Sequence, residues 1–579
     1  MTLTMTGKLG SPLSDCQEVP CNAAVKEAAS QAASGAPGKG TMSALTERPL
    51  VADGGNWAVA TPHATAGDTA ADVLRGGGNA VDAALAAAAM LTVVYPNQCS
   101  VGGDLLALVG TRDGDIRVVN ASGRAPRALD VPALTAAYDT MPVLGALPVT
   151  VPGAVAGWGA LAETWGTRPL AAALAPAEAA ARDGVPVAPG LARDLARESA
   201  QLARDPGMRG VFFADGEVLT AGQTLRQPHL ARSLALLGAE GPAAMYGGEV
   251  GASLVKLLAA QGSAMTDEDF AAHTVELSPA LAAEYDGVEY LSSGANSQGR
   301  YFLQGLKALD AVRAARGPLD PLGRDAGLVA AVLAWAAGDR DRYCADPEHS
   351  GTPAEHLLSD AYALRIAEHA MAGTATGVLP ARKASGDTVA VVVADADGTW
   401  VSLIQSVFHG FGAALLDPAT GIVLHNRGAS FSLDPASPNR AAGGKRPLHT
   451  LMPVLVRAGG ELVGAHGAMG GRAQPQVHTH LALQLAAGSS PGHAVAAPRW
   501  ALGAMEAGVT TGAGVVAVEH GVPAEAGRAI EEAGFTTRPL GAHDDEVGHG
   551  QLVRLVPTSG GPHLTAAADP RADGSAVAG

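Results

Sequence analysis

A run of seven uncharged residues, Thr388-Val-Ala-Val-Val-Val-Ala394, limits the possible folds of this chain more than any other feature. Valine at this density favours a buried β-strand. The next residues, Asp395-Ala-Asp-Gly398, are typical of a turn, and Trp400–Ser406 predicts a second strand. The two strands together predict a β-hairpin in the interior of the protein.

The chain before this hairpin is mainly helical in pattern. Ala66–Arg75 has helical spacing and ends in Gly76-Gly77-Gly78, where glycine can adopt the left-handed conformation that ends a helix. Asn79 is a predicted N-cap, with Asp82 in the first turn of an alanine-rich helix that runs to Leu91. The triple glycine lacks the Lys and Ser/Thr of a phosphate-binding loop, so we interpret it as a turn.

The same patterns predict elements along the rest of the chain. Predicted helices are Ala154–Trp165, Leu170–Asp183, Gly190–Leu202, Leu225–Leu237, Asp267–Ala271, Asn296–Ala314, Leu328–Ala337, Pro353–Ala370, Gln474–Ala487 and Pro523–Ala533. Predicted strands are Gly287–Leu291, Gly421–Leu424, Pro453–Arg457, Leu462–His466, Thr536–Pro539, Gln551–Val556 and His563–Ala566. Helices followed by strand-rich sequence predict an α+β protein in which helices pack on sheet.

Composition excludes two classes of partner. The formal net charge is −17, and the 39 basic residues are scattered along the chain. Nucleic acids and anionic membranes bind a clustered positive face, so we expect neither as a partner. Hydrophobic residues make up 47% of the chain but aromatic residues only 4%, so the core must consist mostly of Ala, Val and Leu.

Residues 1–45 are rich in Ser, Gly, Ala, Thr and Pro and are predicted to be a disordered leader. They lack the apolar segment of a secretory signal, and no stretch of the chain reaches about 18 uninterrupted apolar residues. We therefore expect a cytoplasmic protein. The cysteines match no zinc or redox spacing and imply no disulfide framework. They are Cys16, Cys21, Cys99 and Cys344.

Thr388 stands alone as a hydroxyl residue at the head of the first predicted strand. Threonine is common in strands, so a structural role is one interpretation. The alternative is an N-terminal nucleophile. If the bond between Asp387 and Thr388 were cut, Thr388 would carry both a hydroxyl and an α-amine, and the amine could act as the base that activates the hydroxyl.

Two further segments could carry chemistry. Gly467-Ala-Met-Gly470-Gly471 lies between a predicted strand and a predicted helix, where unobstructed backbone N–H groups can stabilise an oxyanion. Glycine pairs are also common in plain turns. The polar strip Lys445–Thr450 is either a solvated loop or part of a binding site.

His478 and His480 raise the possibility of a metal site, with His543 and His549 as further ligands. On a helix, residues two apart point about 200° away from each other. The predicted helix Gln474–Ala487 therefore disfavours a metal site at this pair.

These segments occur in the order found in the γ-glutamyltransferase family, which the chain resembles over about residues 55–570. The matching motifs are Ala66–Ala84, Pro96–Gly103, Val151–Gly157, Gly386–Thr388, Asp397-Gly398, Val401–Ser406, Phe411-Gly412, Gly421-Ile422, Asn426, Gly444–Pro447 and Gly467–Gly471. The resemblance implies the N-terminal-nucleophile hydrolase fold, a four-layer αββα sandwich. It implies no metal and no organic cofactor.

The resemblance also implies that the precursor cuts itself before Thr388. The products would be a large subunit, residues 46–387 after the leader, and a small catalytic subunit, residues 388–579. Ser406 falls where the family has the Thr that hydrogen-bonds the amine of the nucleophile. The oxyanion-binding pair of the family falls on Gly470 and Gly471.

The residues that bind glutamate in the family differ here. Ser122 falls where the family has the Arg that binds the α-carboxylate, and Arg124 is a candidate substitute from a shifted position. Ser430 replaces the Asp that binds the α-amino group. The remaining candidate substrate-binding residues are Phe408, which replaces an Asn, His449 and Thr450, which replace paired serines, and Arg427. Losing charged contacts of about 2–5 kcal/mol each would greatly weaken γ-glutamyl recognition.

Three functions are compatible with these residues. The first is an amide hydrolase or acyltransferase acting on a small molecule other than glutathione, because the nucleophile, its hydroxyl partner and the oxyanion pair are all present. The second is hydrolysis of another bond, such as a carbon–carbon bond beside a carbonyl in an antibiotic-biosynthesis pathway. The third is an uncleaved protein that has kept the fold without turnover.

Overall fold

We describe the protein from a computed structural model, which covers residues 49–350, 355–373, 387–503 and 514–579. The predicted leader, residues 1–45, and Gly386 lie outside these segments. The backbone of Asp387 is described, as the first residue of a strand. Within the four segments, no helix has both the length and the apolar character needed to cross a membrane.

The helices fall in three stretches of the chain. The first stretch holds α1 (Ala64–Arg75), α2 (Ala80–Val94), α3 (Val131–Ala137), α4 (Ala154–Trp165), α5 (Leu170–Asp183), α6 (Pro189–Leu202), α7 (Pro206–Phe212), α8 (Pro228–Glu240), α9 (Glu249–Ala260) and α10 (Asp267–Ala271). The second holds α11 (Gly299–Arg316), α12 (Ala326–Tyr343), α13 (Pro347–Ser350) and α14 (Asp360–Met371). The third holds α15 (Gln474–Ala486), α16 (Pro491–Ala496) and α17 (Ala524–Glu532).

The strands are distributed along the whole described chain. Those before residue 300 are β1 (Val51–Gly54), β2 (Ala58–Thr61), β3 (Asp104–Gly110), β4 (Ile116–Asn120), β5 (Val185–Pro186), β6 (Phe213–Ala214), β7 (Glu217–Val218), β8 (Thr224–Leu225), β9 (Glu276–Pro279), β10 (Leu281–Tyr285) and β11 (Val288–Ser292). The others are β12 (Asp387–Ala394), β13 (Trp400–Phe408), β14 (Leu416–Asp417), β15 (Ile422–Val423), β16 (Val454–Ala458), β17 (Glu461–Met469), β18 (Trp500–Leu502), β19 (Val515–Val518), β20 (Thr536–Pro539), β21 (His549–Val556), β22 (His563–Ala568) and β23 (Ser575–Ala578).

Two large sheets stack face to face. One has the strand order β23-β2-β12-β13-β3-β4-β9, and the other has the order β1-β22-β21-β17-β16-β11-β10. Side chains alternate along β12, as the pleat requires. Val389, Val391 and Val393 pack into the core shared with helices, whereas Ala390 and Val392 face the second sheet.

Helices cover the outer face of each sheet. α2 and α4 pack on the sheet that contains β12, while α11, α15 and α16 pack on the other. Trp158 of α4 is fully buried, and its indole N–H donates to the side-chain oxygen of Gln405 on β13, 3.0 Å away. The resulting order of layers is helix, sheet, sheet, helix. The predicted four-layer αββα sandwich is confirmed.

The alanine-rich helix α2 lies inside the helical layer, and all fifteen of its residues are buried. Small side chains let it approach its neighbours closely. Because the chain has few large aromatic rings to fill space, close approach of the helices is how its core reaches a high packing density. The predicted N-cap is confirmed, since Asn79 and Asp82 form a reciprocal capping box. The left-handed glycine after α1 is Gly77, with φ +79°, and not the C-cap Gly76, whose φ is −78°.

Sequence patterns did not reveal β3 and β4. β3 reads Asp-Leu-Leu-Ala-Leu-Val-Gly, and Leu and Ala are compatible with helix and strand alike, so periodicity cannot decide between them. The segment forms a strand because it pairs antiparallel with β13. Other predicted elements are present with shifted ends. For example, the predicted strand Gly421–Leu424 is reduced to β15, and the helix predicted from Gln474 ends at Ala486.

The close contact between the sheets gives a first prediction. A Cβ atom on Gly467 of β17 would lie 2.7 Å from the Cβ of Ala390 on β12, so Gly467→Ala must push the sheets apart. We expect it to reduce the free energy of unfolding by about 1–3 kcal/mol, measured by urea denaturation. Gly464→Ala on the same strand is the control, because its nearest contact would be an ordinary 3.4 Å to Val456. Equal stability of the two variants would contradict the prediction.

Buried histidine gives a second prediction. Burial lowers the pKa of His478 on α15 to about 3, below the value of about 6.5 expected in the unfolded chain. At a pH between about 3 and about 6.5, His478 is therefore protonated in the unfolded chain but neutral in the folded protein. The free energy of unfolding falls as the pH drops below about 6.5, by up to about 1.4 kcal/mol per pH unit.

His478→Phe should make the urea midpoint of unfolding less sensitive to pH between neutral and mildly acidic buffers. The exposed His229, substituted by Gln, provides the control. The slope of midpoint against pH is the measurement, because the substitution can also shift the midpoint at every pH. An unchanged slope in His478→Phe would show that the ring is not held neutral.

Candidate active site

The centre of the candidate site is a pair of hydroxyl residues on adjacent strands. Thr388 of β12 and Ser406 of β13 are cross-strand partners, and both side chains are buried. The side-chain alternation that turns Ala390 toward the second sheet does the same for Thr388. Thr388 Oγ1 lies 3.1 Å from Ser406 Oγ, and the backbone N–H of Phe408 donates to that same Ser406 oxygen at 2.8 Å.

The glycine pair lies at the same end of the sandwich. The Ser402 hydroxyl on β13 donates to the carbonyl of His466 on β17 at 2.7 Å. Further along both strands, a Cβ atom on Gly467 would contact Ile404. β13 and β17 therefore run in the same direction across the interface between the sheets. The end of β17, followed by Gly470 and Gly471, lies at the Ser406 end of β13.

Both glycines adopt backbone conformations that disfavour other residues. The φ angles are +143° at Gly470 and +52° at Gly471, and a short 3₁₀ turn, Gly471–Ala473, leads into α15. Gln298 fixes this segment: its side-chain amide donates to the carbonyl of Gly471 at 2.8 Å and to that of Thr450 at 2.7 Å. Sequence reasoning missed Gln298, because nothing local marks it.

A buried carboxylate, Asp104, continues the row of polar side chains. It is the cross-strand partner of Ser406 on the other side of β13. Its Oδ2 atom lies close to three side chains. They are His449 Nε2 at 3.0 Å, His425 Nδ1 at 3.1 Å and Arg427 Nε at 3.5 Å. Burial favours the neutral acid, but the interactions with the His425 and His449 rings hold the pKa of Asp104 well below its usual range.

Arg427 and His449 are buried beside this carboxylate, and burial lowers the pKa of both side chains. Burial lowers the pKa of Arg427 to about 10. Burial and the neighbouring positive charge of Arg427 lower the pKa of His449 to about 4, so His449 is neutral near pH 7. The neutral ring donates from Nε2 to Asp104, while its Nδ1 accepts from the backbone N–H of Leu451 at 3.3 Å.

A cavity of about 290 Å³ opens beside this row. Three candidate substrate-binding residues line it: Phe408, Ser430 and Thr450. The Ser430 hydroxyl donates to the carbonyl of Leu448 at 2.7 Å, so that hydroxyl is already engaged. Arg472, next to the glycine pair, also lines the cavity.

Two other candidate residues lie elsewhere. The Ser122 hydroxyl donates to Asn120 Oδ1 at 2.7 Å, in a buried amide network. Arg124 lines a different cavity, of about 320 Å³, where both of its Nη2 contacts to the Glu348 carboxylate measure 3.0 Å. The structure therefore brings neither residue into the cavity beside Phe408.

The histidine pair on α15 points in two directions. His478 faces the ring of Phe302, while His480 Nε2 lies 2.9 Å from the carbonyl oxygen of Trp500. The two rings therefore serve different parts of the core, as the helical geometry predicted.

Asp104 is the residue of the candidate site that sequence reasoning should have found. It is a lone polar residue at the head of an apolar strand, which is the pattern that singled out Thr388. It directly follows the loop Pro96–Gly103, one of the motifs that resemble the family. Because the sequence did not predict β3, Asp104 could not be identified as the first residue of a strand.

An αββα sandwich with a hydroxyl residue at the head of a central strand defines the class of N-terminal-nucleophile hydrolases. The fold matches that of cephalosporin acylase from Bacillus halodurans, with a TM-score of 0.82 and 30% identity, over 94% of this chain and 99% of the other. The chain belongs to the gamma-glutamyltranspeptidase family, whose sequence pattern matches residues 66–579.

Named relatives support the same assignment. The chain is 33% identical over 526 residues to the glutathione hydrolase-like YwrD proenzyme of Bacillus subtilis, covering 90% of this chain and 98% of the relative. It is 32% identical over 529 residues to the oxamate amidohydrolase proenzyme of Klebsiella pneumoniae, covering 89% and 97%. This protein is therefore an enzyme, an autoprocessed amidohydrolase of the N-terminal-nucleophile type.

The buried ion pair gives a third prediction. Asp104→Ala would leave the Arg427 guanidinium buried without its carboxylate, so we expect a loss of about 3–5 kcal/mol in the free energy of unfolding. The double variant Asp104→Leu with Arg427→Met removes both charges and should recover most of that loss. Urea denaturation of the three proteins is the measurement. An Asp104→Ala protein as stable as the wild type would disprove the pairing.

Proposed function

We propose that this enzyme cuts its own chain before Thr388 and then uses Thr388 to hydrolyse, or transfer the acyl group of, a small-molecule amide other than glutathione. One observation carries the proposal: the Thr388 hydroxyl lies 3.1 Å from Ser406 Oγ, at the end of the sandwich where Gly470 and Gly471 follow β17. In this proposal Thr388 is the nucleophile, Ser406 is its positioning group, and Gly470 and Gly471 are the oxyanion donors.

Maturation begins when Thr388 Oγ1 attacks the carbonyl carbon of Asp387. The amide bond between the two residues becomes an ester, and the amide nitrogen of Thr388 becomes a free amine. Water then hydrolyses the ester and leaves a carboxylate on Asp387. The two fragments have 387 and 192 residues, since 579 minus 387 is 192.

In turnover, the new α-amine takes the proton from the hydroxyl of its own residue. An α-amine titrates near about 8, so a large fraction is unprotonated at neutral pH. Ser406 holds the amine in place, and Thr388 Oγ1 attacks the carbonyl carbon of the substrate. The N–H groups of Gly470 and Gly471 stabilise the oxyanion, each worth about 3–4 kcal/mol. Loss of the amine gives an acyl-enzyme, which water or another amine resolves.

The substrate is proposed to differ from glutathione because the glutamate-binding residues differ. Ser430 stands where the family has an Asp, and its hydroxyl is bonded to a backbone carbonyl. Neither Ser122 nor Arg124 lines the cavity beside Phe408. Relatives named for oxamate and cephalosporin acylase activity are consistent with an amide-cleaving site that accepts varied acyl groups.

The fourth prediction tests the nucleophile. Wild-type protein should run as two bands on a denaturing gel, and N-terminal sequencing of the smaller fragment should begin at Thr388. Thr388→Ala should remain a single band and lose all amidase activity, because no hydroxyl is available to attack. Thr399→Ala, in the turn after β12, should still give two bands. Two bands from Thr388→Ala would show that the nucleophile is another residue.

A further inference from the structure

The cavity of about 290 Å³ beside β13 has largely apolar walls. Its hydrophobic side chains are Met141, Val143, Phe408, Phe431, Leu433 and Leu448. Met141 and Phe431 also belong to a small hydrophobic core, so packing holds this side of the wall. The Phe408 ring is held by the Arg427 guanidinium, 4.1 Å from its centroid, and by the His409 ring at 4.2 Å. Fixed apolar walls favour an apolar ligand group, because burying such a group costs no hydrogen bonds.

Most polar side chains of the wall are already bonded within the protein. The Ser430 hydroxyl donates to a backbone carbonyl at 2.7 Å, and the Ser432 hydroxyl accepts from a backbone N–H at 3.2 Å. The Thr450 hydroxyl accepts from an arginine behind the wall at 3.1 Å. Arg472 Nη1 lies 2.7 Å from Asp341 Oδ1, so this cation of the wall is paired. The wall therefore offers a ligand apolar contacts more than hydrogen bonds.

The acidic side chains of the wall are Asp139 and Asp434. Both are exposed, so they lie at the rim of the cavity. In the described segments neither carboxylate is within ion-pair distance of a cationic side chain. Two carboxylates without a counter-ion disfavour the entry of an anion and favour a neutral or cationic group.

The cavity adjoins both halves of the proposed catalytic site. Phe408 is the cross-strand partner of Asp387, the residue before Thr388. Arg472 directly follows Gly471 in the chain. Neighbouring strands are about 4.8 Å apart and consecutive Cα atoms about 3.8 Å. A carbonyl group held between the Thr388 hydroxyl and the glycine pair would therefore lie next to the wall of the cavity.

We propose that this cavity binds the acyl group of the substrate and selects an uncharged, apolar one, so that the substrates are amides of medium-length aliphatic or arylalkanoic acids. The proposal rests on the proposed function, since it places the acyl carbonyl at Thr388. Phe408, Ser430 and Thr450 stand where the family binds a glutamyl group, which assigns the acyl side of the substrate to this cavity. An apolar cavity of about 150 Å³ can hold benzene, so about 290 Å³ holds a ring with a linker or a chain of about six carbons.

The fifth prediction compares p-nitroanilides of acetic, butanoic, hexanoic and phenylacetic acid as substrates of the mature enzyme. Each methylene group that enters the cavity should raise kcat/KM about fourfold. Hexanoyl and phenylacetyl anilide should therefore exceed acetyl anilide by about 100-fold or more. Equal kcat/KM values along the series would overturn the proposal, because the acyl group would then lie outside the cavity.

A matched pair of variants tests the wall. Val143 and Leu144 are adjacent and similarly exposed, at 37% and 40%, but of the two only Val143 lines the cavity. Val143→Asp places a charge against the bound chain and should lower the ratio of hexanoyl to acetyl kcat/KM at least about tenfold. Leu144→Asp should leave that ratio unchanged. If Val143→Asp does not fold, Val143→Thr adds only a hydroxyl and should lower the ratio about threefold. Equal ratios in the Val143 and Leu144 variants would overturn the proposal.

Charged probes test the rim. The 6-aminohexanoyl and adipoyl anilides have chains of similar length and differ in the sign of the terminal charge. We expect hexanoyl anilide to be cleaved best, and the ammonium-bearing anilide to exceed the carboxylate-bearing one in kcat/KM by about tenfold. Adipoyl anilide cleaved better than hexanoyl anilide would show that Arg472 recruits a carboxylate, and would overturn the proposal.

Neutralising the rim should remove the preference for the ammonium. Asp139→Asn combined with Asp434→Asn should reduce the tenfold preference to about twofold or less. Glu217→Gln combined with Glu240→Gln makes the same change in net charge at exposed positions outside the cavity, and should leave the preference intact. The reverse result would overturn the assignment of the rim to the two aspartates.

The gel keeps this test distinct from that of the proposed function. A wild-type chain that stays uncut refutes the proposed function, whereas a cut chain that cleaves acetyl and hexanoyl anilide equally refutes only the apolar acyl site. If the cut enzyme hydrolyses none of the anilides, titration calorimetry with the same intact anilides decides. Binding of hexanoyl anilide that Val143→Asp weakens and Leu144→Asp does not would support the proposal, and no binding of hexanoyl anilide would overturn it.

Discussion

The hydrogen bonds between β12 and β13 determine both the sandwich and the candidate site. Both strands lie between the second sheet and a layer of helices, so their backbone groups have no access to water and must pair with each other. This register places Thr388 opposite Ser406, and the next pairing places Asp104 opposite Ser406 on the far side. A slip of one residue would turn Thr388 toward the helices and separate its hydroxyl from that of Ser406.

The polar side chains of Thr388, Ser406 and Asp104 lie at the buried end of an apolar interface. Their burial is tolerated because most of them have hydrogen-bond partners among their neighbours. Asp104 is surrounded by donors, and Ser406 accepts from the backbone of Phe408. The same dry surroundings strengthen each electrostatic interaction, which is what stabilisation of an oxyanion requires. The Nη2 donor of Arg427 departs from this pattern, because it has no hydrogen-bond partner among the described residues.

Membership of the gamma-glutamyltranspeptidase family fixes the class of chemistry but leaves the acyl group open. The residues proposed for catalysis lie on the central strands and on the turn after β17. The residues that differ from the glutathione-handling members, such as Ser430 and Phe408, line the adjoining cavity. Ser406 and Phe408 lie on the same strand, β13, so the residues proposed for catalysis and the wall of the cavity are direct neighbours.

The sequence determined the central hairpin, the alanine-rich helix with its Asn79 cap and the candidate nucleophile, because strand and helix periodicities and capping residues are local signals. The resemblance to the family that its motifs carry implied the four-layer fold. It could not reveal β3, since Leu and Ala fit either structure, and therefore missed Asp104. Only the tertiary structure decided that Asp104, Arg427 and Thr388 share one end of the sandwich. Contacts between residues hundreds of positions apart depend on strand register and sheet stacking, which no local pattern encodes.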